Sequence, residues 1–174
     1  MQISITDDIV VSDLGFMRPV ATPLGVTQLD WQQGPFAGGN MQNGNHDASM
    51  ARKAATQIAE YLEGVRTNFS VPIDYTAISE PMRRWYEVLL SVPYGALWSY
   101  RDLADAWGNP KAARPAGQAC RRNPIPVIIP CHRVITSSGG LNQYSGGSET
   151  TPRDAGNLAR KDWLQALERR KSEG

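Results

Sequence analysis

The sequence predicts an α/β protein of the α+β kind, built in two parts, on three observations. The first third of the chain carries short β-branched or aromatic runs between turn-like stretches. The second half carries apolar residues at helical spacing, and two short helices there are joined by a tight glycine-containing turn. The expected parts are residues 1–76, a small antiparallel sheet with one helix that supports the rest, and residues 77–174, a mainly helical half with a winged-helix-like helix-turn-helix.

ISITDDIVV, FMRPVA and GVTQLDWQ read as a three-stranded meander, with SDLG and TPLG as its turns. GPFAGGNMQNGNHDAS is a long loop in which His46 is a solvated histidine. A helix follows over residues 50–63, with Ser49 at its N-cap and Met50, Ala54, Ile58, Tyr61 and Leu62 on one face. Gly64 stops it, and FSVPIDY leads out as a short extended piece.

Beyond it, residues 82–92 place Met82, Trp85, Leu89 and Val92 on one helical face, and Pro93 and Gly95 break the helix. Ser99 then sits where an N-cap belongs, with Asp102 three residues on and Leu103, Ala104 and Trp107 following to a stop at Gly108. Asn109 at a cap and Pro110 at a first helical position open the next helix, which runs to Asn123–Pro124. IPVIIP reads as a buried extended segment that delivers Cys131, His132, Arg133 and Val134. TSSGGLNQYSGG is a loop, and a last helix over residues 158–169 turns Leu158, Trp163, Leu164 and Leu167 inward.

Composition narrows the function. With 174 residues, 41% hydrophobic and a formal net charge of +1, the chain can bury a core but has no global positive field, so a nucleic-acid surface has to be a local patch. Only two cysteines and two histidines, too few and not at ligand spacing, argue against a disulfide scaffold and a structural zinc. The first residues lack a basic start followed by an apolar run, so no secretory signal is expected. IPVIIP, the longest strongly apolar run, is too short to span a membrane. A reducing intracellular setting suits the free thiols.

Two constellations carry chemistry. Cys131 is followed directly by His132. A thiol attacks only as thiolate, so it needs a base, here the imidazole acting directly or through a water, and a carboxylate to orient that base. Glu168 and Asp162 on the last helix are the candidates, Glu168 the preferred one. The other constellation is basic: Lys111, Arg114, Arg121 and Arg122 lie on or beside the second helix of the pair and Arg101 on the first. The small Ala112, Ala113, Ala116 and Gly117 allow that helix close approach to a groove.

The run Ile129-Pro130-Cys131-His132-Arg133-Val134 resembles the active-site signature of the O-6-alkylguanine-DNA alkyltransferases. PYG with SYRDLA, GNPKAAR, the N-P-I-P stretch, YSGG and KDWLQALE resemble the family in the same order and similar spacing, closely over residues 92–147 and again from about residue 161. This implies irreversible transfer of an alkyl group from O-6 of guanine to Cys131, once per molecule. No cofactor and no metal are expected, and the partner is double-stranded DNA entered from the minor groove with the alkylguanine flipped out. The resemblance also implies a monomer without membrane attachment, in the cytoplasm, or the nucleus of a eukaryote.

The roles it implies fall on named positions. His132 and Glu168 would form the activating relay with a water next to Cys131. Asn123 would hold the active-site turn, and Tyr100 would donate to the guanine ring. Arg114 would enter the duplex, with Lys111, Ala113, Gly117, Arg121 and Arg101 along the DNA. Val134, Tyr144, Ser145 and Trp85 would line the substrate pocket. Three departures stand out: Pro81 with Trp85 and Tyr86 in the helix before PYG, Pro115 after the finger, and a long SETTPRDAGN loop after Gly147. Rival readings are a lesion sensor that does not react, a hydrolytic cysteine enzyme and a transcription factor. The last two each leave one of the constellations unexplained.

Overall fold

The structure, a computed structural model, describes residues 2–37, 46–146 and 151–172. It divides into two compact units, Met1–Thr76 and Ala77–Gly174.

The first unit holds an antiparallel sheet in the order β1 (Ser4–Thr6), β2 (Ile9–Ser12), β3 (Gly15–Thr22) and β4 (Gly25–Gln32). The sheet has four strands where the sequence predicted three, because ISITDDIVV is itself a hairpin. Thr6 pairs with Ile9 across Asp7 and Asp8, whose φ of 47° and 68° put both in the left-handed region that a two-residue turn between twisted strands demands. A register shift between Val20 and Ala21 leaves Thr27 as an extra residue in β4. That bulge resets the alternation, so Val26 and then Leu29 and Trp31 all face the core with Met17 and Ala21.

Helix α1 (Ala48–Leu62) packs on this sheet through Ala51, Ala54, Ile58, Tyr61 and Leu62. Its cap is Asp47, one of whose carboxylate oxygens accepts from the Met50 amide at 2.8 Å. Ser49, the expected cap, lies inside the helix, and Met50 is only half-buried. His46 is half-buried rather than solvated. The exit segment returns beside β4, where Val26 exchanges backbone bonds with Pro72 and Asp74 (2.9 and 3.0 Å). A Cβ on Gly25 would come within 2.5 Å of the Pro72 carbonyl oxygen, so only glycine fits there.

The second unit begins with α2 (Glu80–Leu90), two residues earlier than predicted, because Pro81 sits in its first turn, where a missing N–H costs nothing. Trp85, Tyr86 and Leu89 are its buried face. Strand β5 (Trp98–Ser99) runs into α3 (Tyr100–Trp107) through a reciprocal cap: Ser99 Oγ accepts from the Asp102 amide at 3.1 Å and Asp102 accepts from the Ser99 amide at 2.7 Å. Gly108 closes the helix at φ 97°.

Helix α4 (Ala113–Arg121) starts later than predicted, since Asn109 caps a turn by accepting from the Lys111 amide (3.1 Å) rather than capping the helix. Pro115 is therefore the third helical residue, still within the turn that lacks internal donors. Helices α3 and α4 pack against each other as the predicted pair.

IPVIIP is not extended. The Ile129 amide donates to the Ile125 carbonyl at 2.9 Å, Pro126 bridges to Ile129, and Val127 adopts φ 74°, so the apolar run folds into a buried turn. Cys131–Arg133 form a single 3-10 turn, and β6 (Val134–Ile135) pairs in parallel with β5, a ribbon the sequence did not announce. Helix α5 (Ala155–Ser172) is longer than predicted at both ends. It buries Leu164 and Leu167 fully, and Leu158 and Trp163 only in part. Among the described residues no helix is long and apolar enough to cross a membrane.

Candidate active site

The buried turn aims Cys131, whose residue is 2% exposed. Asn123, just past the end of α4, holds the turn at three points. Its side-chain nitrogen donates to the Ile129 carbonyl at 2.8 Å and to Cys131 Sγ at 3.1 Å, and its side-chain oxygen accepts from the Ile125 amide at 3.0 Å. All of these groups are out of water, so each bond also prevents the larger cost of an unpaired buried polar atom.

Next to the sulfur lies an ionic cluster. His132 Nε2 is 2.8 Å from Glu168 Oε1, both side chains being essentially inaccessible. Arg133 donates to both carboxylate oxygens of Glu168 (2.9–3.1 Å) and to the Val92 carbonyl at 2.6 Å. The Gly95 amide adds a further bond to Glu168 at 2.9 Å, and Gln165 fixes the His132 carbonyl at 2.7 Å. Burial alone would raise the Glu168 carboxyl, but the hydrogen bonds and charges of His132 and Arg133 prevail and hold it well below the usual carboxylate range. An ionised Glu168 makes Nε2 the protonated nitrogen of His132 and Nδ1 the basic one. Burial pushes the His132 imidazole down, against the pull of Glu168, so the ring is neutral at neutral pH. Asp162, the other candidate carboxylate, is exposed on α5.

Burial pushes the Cys131 thiol up, and Asn123, Lys161 and Ser145 only partly offset it, so the sulfur is not ionised at rest. The resting pair is a neutral thiol beside a neutral base.

Around them the Tyr100 hydroxyl is buried without a hydrogen bond of normal geometry, and burial raises the phenol to about 12. Tyr144 and Val134 are fully buried. Ser145 Oγ donates to the Cys120 carbonyl at 2.6 Å and Gln143 to the Gly117 carbonyl at 2.9 Å, which ties the loop 141–146 to successive turns of α4. Gly146 lies so close under the Tyr144 ring that a Cβ would meet it at 2.0 Å. Trp85, grouped with the pocket on sequence, instead stacks on Trp107 (4.8 Å, 8°) and packs α2 against α3. Cys120 is a buried packing thiol on α4, pushed well up by burial.

Lys161 was not foreseen. It is fully buried and donates to the carbonyls of Val134 (2.5 Å), Leu141 (2.7 Å) and Gln143 (3.0 Å), pinning the loop that carries Tyr144 and Ser145. Burial lowers it to about 8, while Cys131 and Cys120 act the other way. A signal was present: Asn157, Arg160, Lys161, Gln165 and Glu168 recur at helical spacing between the apolar positions of α5, a polar stripe on the inward face.

Lys111, Arg114, Arg121 and Arg101 are exposed on or beside α3 and α4, with Ala113 and Gly117 half-buried among them. A Cβ on Gly117 would make only ordinary contacts, 3.8–3.9 Å, with Gln143 and Tyr100. Among the described residues no three His, Cys, Asp or Glu side chains gather as metal ligands.

Residues 80–170 match the family model described as 6-O-methylguanine DNA methyltransferase, DNA binding domain. The inducible methylated-DNA–protein-cysteine methyltransferase of Bacillus subtilis is 37% identical over 121 residues, 70% of this chain and 65% of that protein. The Mycolicibacterium paratuberculosis protein of the same name is 42% identical over 119 residues, 68% of this chain and 66% of that one. The matches thus span about two thirds of those relatives' length. The crystal structure of Mycobacterium tuberculosis OGT in complex with DNA superposes with a TM-score of 0.72 at 31% identity, covering 94% of this chain and 92% of that one. With the family model matching more than half of the sequence and a buried Cys-His-Glu cluster inside the matched segment, the chain belongs to the 6-O-methylguanine DNA methyltransferase family.

Proposed function

We propose that the chain repairs alkylated DNA by moving an alkyl group from O-6 of guanine onto its own Cys131, once per molecule. The observation that carries this reading is the buried Cys131 turn, held by Asn123 next to the His132–Glu168 pair. The family's relatives are named as methyltransferases acting on methylated DNA, which supports the same reading.

The chemistry follows from the proton inventory. His132 Nδ1 takes the Sγ proton, directly or through a water, and Glu168 stabilises the imidazolium that forms. The thiolate attacks the alkyl carbon as the carbon–oxygen bond breaks, and the electron pair of that bond goes to the guanine oxygen. Tyr100, protonated at neutral pH because its pKa is raised, gives its hydroxyl proton to the ring as this charge develops and recovers one from the His132 imidazolium through water, so that guanine leaves neutral and the net proton it carries is the one the thiol gave up. The product is a thioether, which no thiol reductant reverses, so turnover is one.

The target oxygen is stacked inside the duplex, and extruding the nucleotide costs a few kcal/mol. Small residues on α4 fit minor-groove approach, with Arg114 at the front of the helix as the side chain that fills the vacated stack and Lys111, Arg121 and Arg101 on phosphates. The half 77–174 carries DNA binding and transfer, the half 1–76 supports it, and a monomer in the cytoplasm suffices for a single-turnover reaction.

The test is direct. An oligonucleotide containing O-6-methylguanine should add one methyl in mass to the peptide containing Cys131, saturating at one equivalent, and Cys131→Ser should abolish uptake while duplex binding persists. Binding without any gain in mass would identify a sensor instead.

A further inference from the structure

We propose that Arg121, Thr151 and Arg153 form a seat for a backbone phosphate of the bound strand, beside the recognition helix and outside the alkyl pocket; this rests on the function proposed above. A cavity of about 260 Å3 is lined by Arg121, Gln143, Thr151, Pro152 and Arg153, far larger than the ~30 Å3 a water occupies. Arg121 and Arg153 both line it, no described acidic residue does, and neither arginine has an ion pair among the described residues. Two like charges held at one cavity favour an anion between them. Paired planar forks with a hydroxyl beside them suit the tetrahedral oxygens of a phosphate.

The seat is built rather than incidental. The Tyr144 amide donates to the Pro152 carbonyl at 2.7 Å, and the Thr151 carbonyl accepts from the Asp154 amide and the Asn157 side chain, each at 2.9 Å. The backbone carrying Arg153 is therefore tied both to the active-site loop and to the start of α5. Gln143, on the cavity wall, donates to the Gly117 carbonyl of α4. Arg121 follows Arg114 by seven residues, which places both on one side of α4 roughly 10 Å apart along its axis. The cavity therefore opens beside the face assigned to DNA. Three of its five lining residues, Thr151, Pro152 and Arg153, come from the long stretch after Gly147, so that stretch supplies most of a site to which α4 contributes only Arg121.

A phosphate could come from the DNA backbone or from solution, and the experiment separates them. Affinity of the full chain for an unmodified duplex is measured from low to physiological salt, for wild type, Arg153→Ala and Arg153→Lys, with thermal melting as the check on folding. The expected result is a several-fold weaker affinity for Arg153→Ala. The slope of log affinity against log salt should be shallower by about 0.9, one phosphate contact, with Arg153→Lys keeping the wild-type slope but binding more weakly, and melting unchanged in both. An unchanged slope and affinity overturns the proposal. So does an unchanged slope when inorganic phosphate alone raises the melting temperature of wild type but not of Arg153→Ala, which would mark a free-anion site. Methyl uptake by wild type alongside either overturning result leaves the proposed function standing. Loss of both uptake and duplex binding in wild type removes that function and this seat together.

Discussion

The two units bury different things. The core of Met1–Thr76 is apolar, with only Asp8, Gln57 and Asp74 as buried polar residues among those described. Ala77–Gly174 buries Asn123, His132, Arg133, Asn157, Arg160, Lys161, Gln165 and Glu168. Side chains of the second kind are costly unless fully partnered, and replacing buried ion pairs by apolar groups of equal volume often stabilises a protein. Their concentration in the unit that carries Cys131 is what the proposed reaction would call for, whereas the first unit has a largely apolar core.

That contrast can be broken or sharpened by mutation. The largest effect is expected at Glu168: Glu168→Gln leaves Arg133 buried without its carboxylate and should cost about 3–5 kcal/mol in denaturant unfolding. It should also slow single-turnover methyl transfer by roughly a hundredfold, the lower end of what acid–base partners contribute. The stability difference has a signed pH dependence. Because the native Glu168 carboxyl is held low, its contribution is fully present above the ordinary carboxylate value of about 4.3 and is lost as pH falls through the native value, so wild type and variant should converge in acid. A gap that stays constant down to strong acid would contradict the assignment.

In the first unit, Ile58→Ala should cost about 2–5 kcal/mol through the cavity it leaves. The transfer rate of the protein that remains folded should be unchanged. A slowed reaction there would erase the division of labour.

Smaller changes probe the turn. Asn123→Ala should cost about 1–3 kcal/mol by orphaning buried backbone groups and should slow transfer in proportion to the misaimed sulfur. Reactivity of Cys131 toward a small neutral electrophile should climb with pH from 7 past the free-thiol value of ~8.5, because burial raises the thiol. Absence of a step near pH 6.5 would match an imidazole whose pKa burial has lowered. A thiol titrating well below 8.5 in the DNA-free protein would show a thiolate already formed at rest. The smallest effect belongs to the scaffold: Asp47→Ala should remove about 1 kcal/mol of helix capping.

Much of this was legible in the sequence where local rules govern. The Ser99–Asp102 cap, the Gly108 stop and the paired helices follow from side chains that act on their own neighbourhood, and Cys131 next to His132 is read directly; Glu168 was one of two carboxylates on the last helix, and only the fold brings it to His132. What stayed hidden depends on distant partners. Strands β5 and β6 are two residues each, too short to carry a period. Asp7 and Asp8 turn a hairpin without the glycine that usually announces one. Lys161 and Arg133 are charges whose burial becomes tolerable only once carbonyls and Glu168 surround them, and hydrophobic patterning has no vocabulary for that.

Val127 shows how the remaining hidden feature works. A branched residue at φ 74° is disfavoured by about 1–3 kcal/mol, yet here its neighbours from Ile125 to Ile129 are all sealed from solvent. A glycine would relax that bend and admit several alternative shapes for the loop. Valine, trapped between apolar walls, admits one, and the sulfur four positions downstream inherits a fixed bearing.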